Sequence, residues 1–183
     1  MKHALVALVL ASPSLALADP SREAVSRLLA GYEVHAGAAE WKRLGAGTDR
    51  VLIELILDPG TPPVRRLRAM SALSLVPSAA GRDLCRRILV EESGATEGRE
   101  VLEVGACAKS LGVIAGIEGI PELLPLLSHP SSDVRLGAVR GLRGAHVTAS
   151  SPAAAALRRL AASDEDDTVK AESRAALRDL EAK

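Results

Sequence analysis

The chain contains no phenylalanine, and Tyr32 and Trp41 are its only aromatic residues. Sheet proteins cover their pleated faces with aromatic and β-branched side chains, so this shortage counts against a β-rich fold. Leu, Val, Ile and Ala must then fill the core, which suits thin layers between small-faced helices. Cysteine is nearly as scarce. Cys85 and Cys107 are the only two, and neither belongs to a Cys-x-x-Cys motif, which argues against a catalytic redox pair. His35, His129 and His146 lie in separate connecting segments with no second His or Cys at ligand spacing, so no metal site is expected. No phosphate-cradling glycine loop, no G-x-S-x-G and no His-Glu-x-x-His occurs. No cofactor and no catalytic residue is therefore expected, and the chain reads as a non-enzyme. Charge bias is missing too. Basic and acidic residues number 23 each in a chain of 183 residues, which leaves no bulk field to recruit nucleic acid or an anionic membrane.

The first residues read as a separate object. Lys2 precedes an apolar run from Ala4 to Ala11, Ser12-Pro13-Ser14 breaks it, and Ala16-Leu17-Ala18 supplies small residues before Asp19. That order matches a secretory signal peptide over residues 1–18, cleaved after Ala18. The run is too short for a bilayer, which takes about 20 apolar residues. Asp19 stands where a lipid-anchored protein needs cysteine. The expected product is exported, periplasmic or extracellular, with no membrane insertion after cleavage.

Beyond the leader one cassette returns four times: a short Leu-rich helix, a polar break, then a small-residue helix closing on a leucine. The second helices align on Leu73, Leu111, Leu142 and Leu177, spaced 38, 31 and 35 residues apart. A basic residue recurs in phase as Arg66, Arg135 and Lys170, with Val104 in the second cassette. A repeat of this length signals a helical solenoid, whose units bury their apolar faces only against neighbours. Caps and breakers place the helices. Ser21 opens a short one that Gly31 stops, and another covers Ala38 to Leu44. Thr48 is expected to cap a helix ending at Asp58-Pro59-Gly60, and Thr61-Pro62 restarts one running to about Val76. Then come 79–92 with 99–115, 121–127 with 132–143 under Ser131, and 152–162 with about 165–180. Val134, Ala138, Gly141 and Leu142 share one helix face, as do Val169, Ser173, Ala176 and Leu177. The acidic run 164–167 lies at the positive end of the last helix, where a solvated helix start suits it.

The stretch Leu123-Leu124-Pro-Leu-Leu-Ser-His-Pro-Ser-Ser-Asp-Val-Arg-Leu-Gly-Ala-Val-Arg-Gly-Leu142 resembles a HEAT repeat, most closely the HEAT-like type noted in phycobilin lyases. Asp167 to Leu177 matches it well, Pro63 to Leu73 fits, and the second cassette departs by lacking the Asp-Val-Arg element. The resemblance covers about residues 48–181. It implies an all-α fold: a right-handed α-solenoid of about four HEAT-like helical hairpins over 48–183, capped by helices in 19–47. It implies little about function, because such repeats present surfaces to partners in proteins of many roles. No position matches a lyase catalytic residue.

Two features remain for function. Cys85 and Cys107 flank the loop near Thr96 symmetrically, so an antiparallel hairpin brings them to the same height. A disulfide closing 21 intervening residues, worth about 3 kcal/mol, competes with two buried free thiols, and export favours the disulfide. Second, HEAT-type solenoids line their concave face with the second helices. There Lys109, Arg140, Arg143, Arg174 and Arg178 point away from the core register. They read as a basic strip for an acidic segment of a protein partner, or as a solvated face with Arg66, Arg135 and Lys170 in ladders to Asp133 or Asp167. Nucleic acid fits poorly, since this face has no stacking aromatics. Tyr32 and Trp41 are expected to seal the first repeat. The resulting expectation is an exported, non-catalytic binding or scaffolding module. The alternatives are an accessory subunit for maturing an enzyme, or a structural envelope protein.

Overall fold

A computed structural model describes residues 20–31 and 37–181. Residues 1–18, expected to be a signal peptide, and Tyr32 and His35 lie outside the described residues. The elements in order are α1 (Arg22–Ala30), α2 (Ala38–Arg43), α3 (Thr48–Leu57), α4 (Pro63–Ala72) with a 3₁₀ turn Leu73–Leu75, α5 (Ala79–Glu92), α6 (Arg99–Ala115), α7 (Ile120–Leu123) with 3₁₀ turns before and after it, α8 (Ser132–Gly144), α9 (Pro152–Ser163) and α10 (Asp167–Glu181). No strand occurs among the described residues. Successive helices form hairpins, and α4, α6, α8 and α10 stack in sequence as an inner layer. The first helices of the hairpins form the outer layer, and α1 packs on α3 and α4 at the N-terminal end. The fold is an all-α solenoid.

Local chemistry sets the boundaries. Ser21, Ser78 and Ser151 each accept a hydrogen bond from a backbone N–H three residues on, the expected N-cap geometry. Thr48 does not cap α3. It lies inside the helix and donates its hydroxyl to the Gly45 carbonyl, while Gly47 takes the cap position at φ 84°, where a side chain would be strained. Ser131 sits before α8 without a side-chain cap bond; its N–H donates to His129 Nδ1 instead. The third hairpin's first helix is shorter than its sequence suggests. It breaks after Leu123 and resumes as a 3₁₀ turn from Pro125, because proline brings no N–H to continue the α-helical ladder.

The register of the cassettes holds. Leu73, Leu111 and Leu142 are fully buried, as are Val134, Ala138, Val169 and Ser173, while Leu177 is half-buried. Trp41 is buried and packs with this one continuous core. The hydroxyl of Ser110 on α6 donates to the Met70 carbonyl of α4 at 2.8 Å, a polar stitch between neighbouring inner helices. The closest inner contact is α6 on α8. A β-carbon built on Gly112 would stand 2.0 Å from the Gly141 carbonyl oxygen, and one on Gly137 would stand 2.3 Å from that of Gly105. Only glycine permits such backbone approach.

Two of the repeat's basic residues, Arg66 and Arg135, make inter-repeat contacts with acids other than those expected, whereas Lys170 pairs with the expected Asp167 within its own helix. Arg135 is buried and holds Asp164 through two bonds of 2.9 and 2.8 Å, with Glu165 at 3.3 Å. Its remaining N–H groups donate to the His129 and Pro130 carbonyls. Arg66 lies 3.8 Å from Glu103, and Lys170 pairs with Asp167 one turn earlier. Asp133 serves none of the three. The acidic run is also more than a solvated helix start. Asp164 is a buried clasp, and Asp166 accepts from the Thr168 and Val169 N–H groups at the head of α10.

Candidate functional site

The second-helix face carries a cleft of about 660 Å³ between α6, α8 and α10. Lys109 of α6, Arg140 and Arg143 of α8, His146 beyond it, and Glu172 and Asp179 of α10 line the cleft. Helical phase puts them there. Lys109 lies on the α6 side opposite the buried Cys107 and Leu111, and Arg140 and Arg143 flank the buried Leu142. His146 sits just past α8 at φ 55°, a left-handed conformation uncommon for a residue with a side chain.

The three cations differ in how they are satisfied. Arg143 is spent on α10, donating to Glu172 at 2.9 Å and Asp179 at 2.6 Å. Arg140 keeps only a long approach to Glu172, 3.7 Å. Lys109 has no hydrogen bond or ion pair with any described residue. Burial holds its ammonium below the usual lysine range, and Arg140 adds to this against the pull of Glu172. Three cations face two carboxylates, so the cleft retains positive charge concentrated at Lys109 and Arg140. An anion placed between them would satisfy an amine that the fold leaves alone.

Of the five basic residues read as a strip, the structure brings Lys109, Arg140 and Arg143 together. Arg174 and Arg178 do not line the cleft and stand exposed on α10. A helix turns 100° per residue, so facing Glu172 and Asp179 inward rotates Arg174 and Arg178 away. Sequence reasoning missed these two acids. Their seven-residue spacing, which places them on one stripe, was the available signal.

Cys85 and Cys107 meet across the α5–α6 hairpin, both fully buried. They are unbridged thiols in this structure. A hydrogen bond to Cys85 and burial push the Cys107 thiol up, so Cys107 is not a ready nucleophile. Among the described residues no cluster of His, Cys, Asp and Glu could hold a metal ion. No described helix is long and apolar enough to cross a membrane.

Residues 103–178, from α6 to α10, match a family model described as HEAT repeats. The HEAT-repeat resemblance read from Leu123–Leu142 and Asp167–Leu177 therefore stands for that stretch. Comparison with curated proteins and with solved structures finds no match. HEAT repeats generally mediate protein–protein interaction, as interaction or scaffold modules, and proteins built from them are generally non-catalytic.

Proposed function

We propose that the chain is an exported, non-catalytic module that holds an acidic segment of a partner protein on the face made by α6, α8 and α10. The observation that carries this reading is Lys109: a half-buried ammonium beside Arg140, with no counterion of its own. Folded proteins rarely bury a cation without a partner, and an incoming carboxylate would supply one. The leader at residues 1–18 supports the export half of the proposal, and the partner would then be met in the periplasm or outside the cell.

Reversing Lys109 is the direct test, because Arg143 is needed to join α8 to α10. In crosslinked capture from envelope extract, Lys109→Glu is expected to lower recovery of a salt-sensitive partner at least tenfold while leaving the melting temperature within a few degrees. Retention equal to that of the native chain would dismiss the site.

In the exported protein, Cys85 and Cys107 are expected to bridge. Each thiol gives up a proton, and the pair passes two electrons to the disulfide-forming machinery of that compartment. Thiol counting on denatured, unreduced periplasmic material checks both this bond and the compartment. No free thiol is expected; two free thiols would refute the bridge.

A further inference from the structure

The cleft does not end at Lys109. That residue and Arg140 also border a second hollow of about 180 Å³, whose walls include Leu67 of α4, Leu102 of α6 and Leu136 of α8. Leu102 is 43% exposed, while Leu67 and Leu136 are half-buried. Three neighbouring inner helices thus each present one leucine to the same depression. Asp133 closes its far side. Along α8 the surface changes from acidic at Asp133, through apolar at Leu136, to basic at Arg140.

Resting on the proposed binding role, we infer that this face recognises an amphipathic acidic segment with one apolar anchor and one carboxylate at a fixed separation. The apolar side chain covers Leu67, Leu102 and Leu136, and the carboxylate sits between Lys109 and Arg140. A rise of 1.5 Å per helical residue places Arg140 about 6 Å and Lys109 about 10 Å along the helix axes from the leucines. Residues three or four apart on a partner helix, or two apart on a strand, match the shorter span. Asp133 repels a carboxylate at the apolar end and so sets the direction in which the segment lies. The apolar contact supplies affinity, while the unpaired ammonium supplies selection for an acid over a neutral side chain.

The test is a random twelve-residue peptide library displayed on phage and panned against the folded chain lacking residues 1–18. Enriched peptides are expected to share a Leu-, Ile- or Met-like residue with Asp or Glu two to four positions away. Binding of a synthetic consensus peptide, measured by fluorescence anisotropy, should fall at least tenfold with Lys109→Glu and with Leu102→Ser. It should be unmoved by Arg174→Glu. Both affected positions are at the surface, and an unchanged helical circular-dichroism spectrum confirms that the variants fold. Enriched peptides that bind all variants equally overturn this recognition mode and leave the module reading intact. Enrichment of basic peptides overturns the acidic ligand. Failure to enrich any peptide above an unrelated helical protein overturns both.

Discussion

Replacing Asp164 with alanine is expected to lower the unfolding free energy by about 3 kcal/mol, within the range of about 3–5 kcal/mol for breaking a buried ion pair. The side chains of Arg135 and Asp164 are only 7% and 3% exposed. Without Asp164 the guanidinium remains buried against two carbonyls, with Glu165 as its only acid. Glu165 is 82% exposed and so gives a weaker, screened contact, which limits the loss but does not remove it. Asp164 also accepts the Asp166 N–H, so the turn into α10 loses its anchor as well. Urea denaturation followed by circular dichroism measures the cost. Replacing both partners with apolar residues should cost less than the two single changes added together, because no charge is stranded. A single Asp164→Ala variant as stable as the native chain would mean that this clasp contributes nothing.

The same pair gives the chain an acid limit. Burial opposes ionisation of Asp164, but the bonds from Arg135 and from the Asp166 N–H outweigh it, so its carboxyl is held below the ordinary range. A depressed folded pKa means the unfolded chain binds the proton more readily. The stabilisation is fully present above the unfolded value of about 3.9 and is lost as pH falls through the lower folded value. Native stability should therefore drop steeply below about pH 4, and the Asp164→Ala variant should show a shallower drop.

The clasp also shows where the sequence was readable. Helices at 79–92 and 99–115 were legible to the residue because serine, glycine and the apolar stripe agree there. The burial of Val134, Ala138 and Leu142 followed from period alone. The Asp167 partner of Lys170 was also legible, one helical turn away. The partners of Arg66 and Arg135 were not, because the offset between stacked hairpins decides which acid comes within reach. Asp133 is close to Arg135 in sequence yet faces the second-helix side, whereas Asp164 arrives from the next hairpin's loop. Lys109 and Arg140 could be read as outward from the core register. That Arg143 would be consumed by Glu172 and Asp179, leaving Lys109 alone, depends on the rotation of α10 relative to α8. Gly141 was legible as small; that it touches backbone required two helices to be placed together.

Gly112→Ala is expected to destabilise the chain by about 2–3 kcal/mol, although alanine is favoured over glycine within a helix by about 1 kcal/mol. Its β-carbon would stand 2.0 Å from the Gly141 carbonyl oxygen and 2.5 Å from the Gly141 Cα. Those obstacles are backbone, so no rotamer change relieves them, and α6 and α8 must move apart. Parting them also loosens Gly137 on Gly105, and Gly141, whose added β-carbon would lie 2.5 Å from the Ala108 carbonyl oxygen. For a chain of this size, a loss of 2–3 kcal/mol corresponds to a fall of about 4–12 °C in melting temperature. Gly94→Ala is the control. A β-carbon there meets nothing within 4 Å, so its melting temperature should hold or rise slightly. Gly112→Val should go further and uncouple the hairpins on either side. A solenoid is held by nearest-neighbour interfaces, so its denaturation should broaden or separate into two steps. A Gly112→Ala variant that melts at or above the native temperature would show that α6 and α8 do not cross backbone to backbone, and with that the placement of Lys109 beside Arg140 would fall.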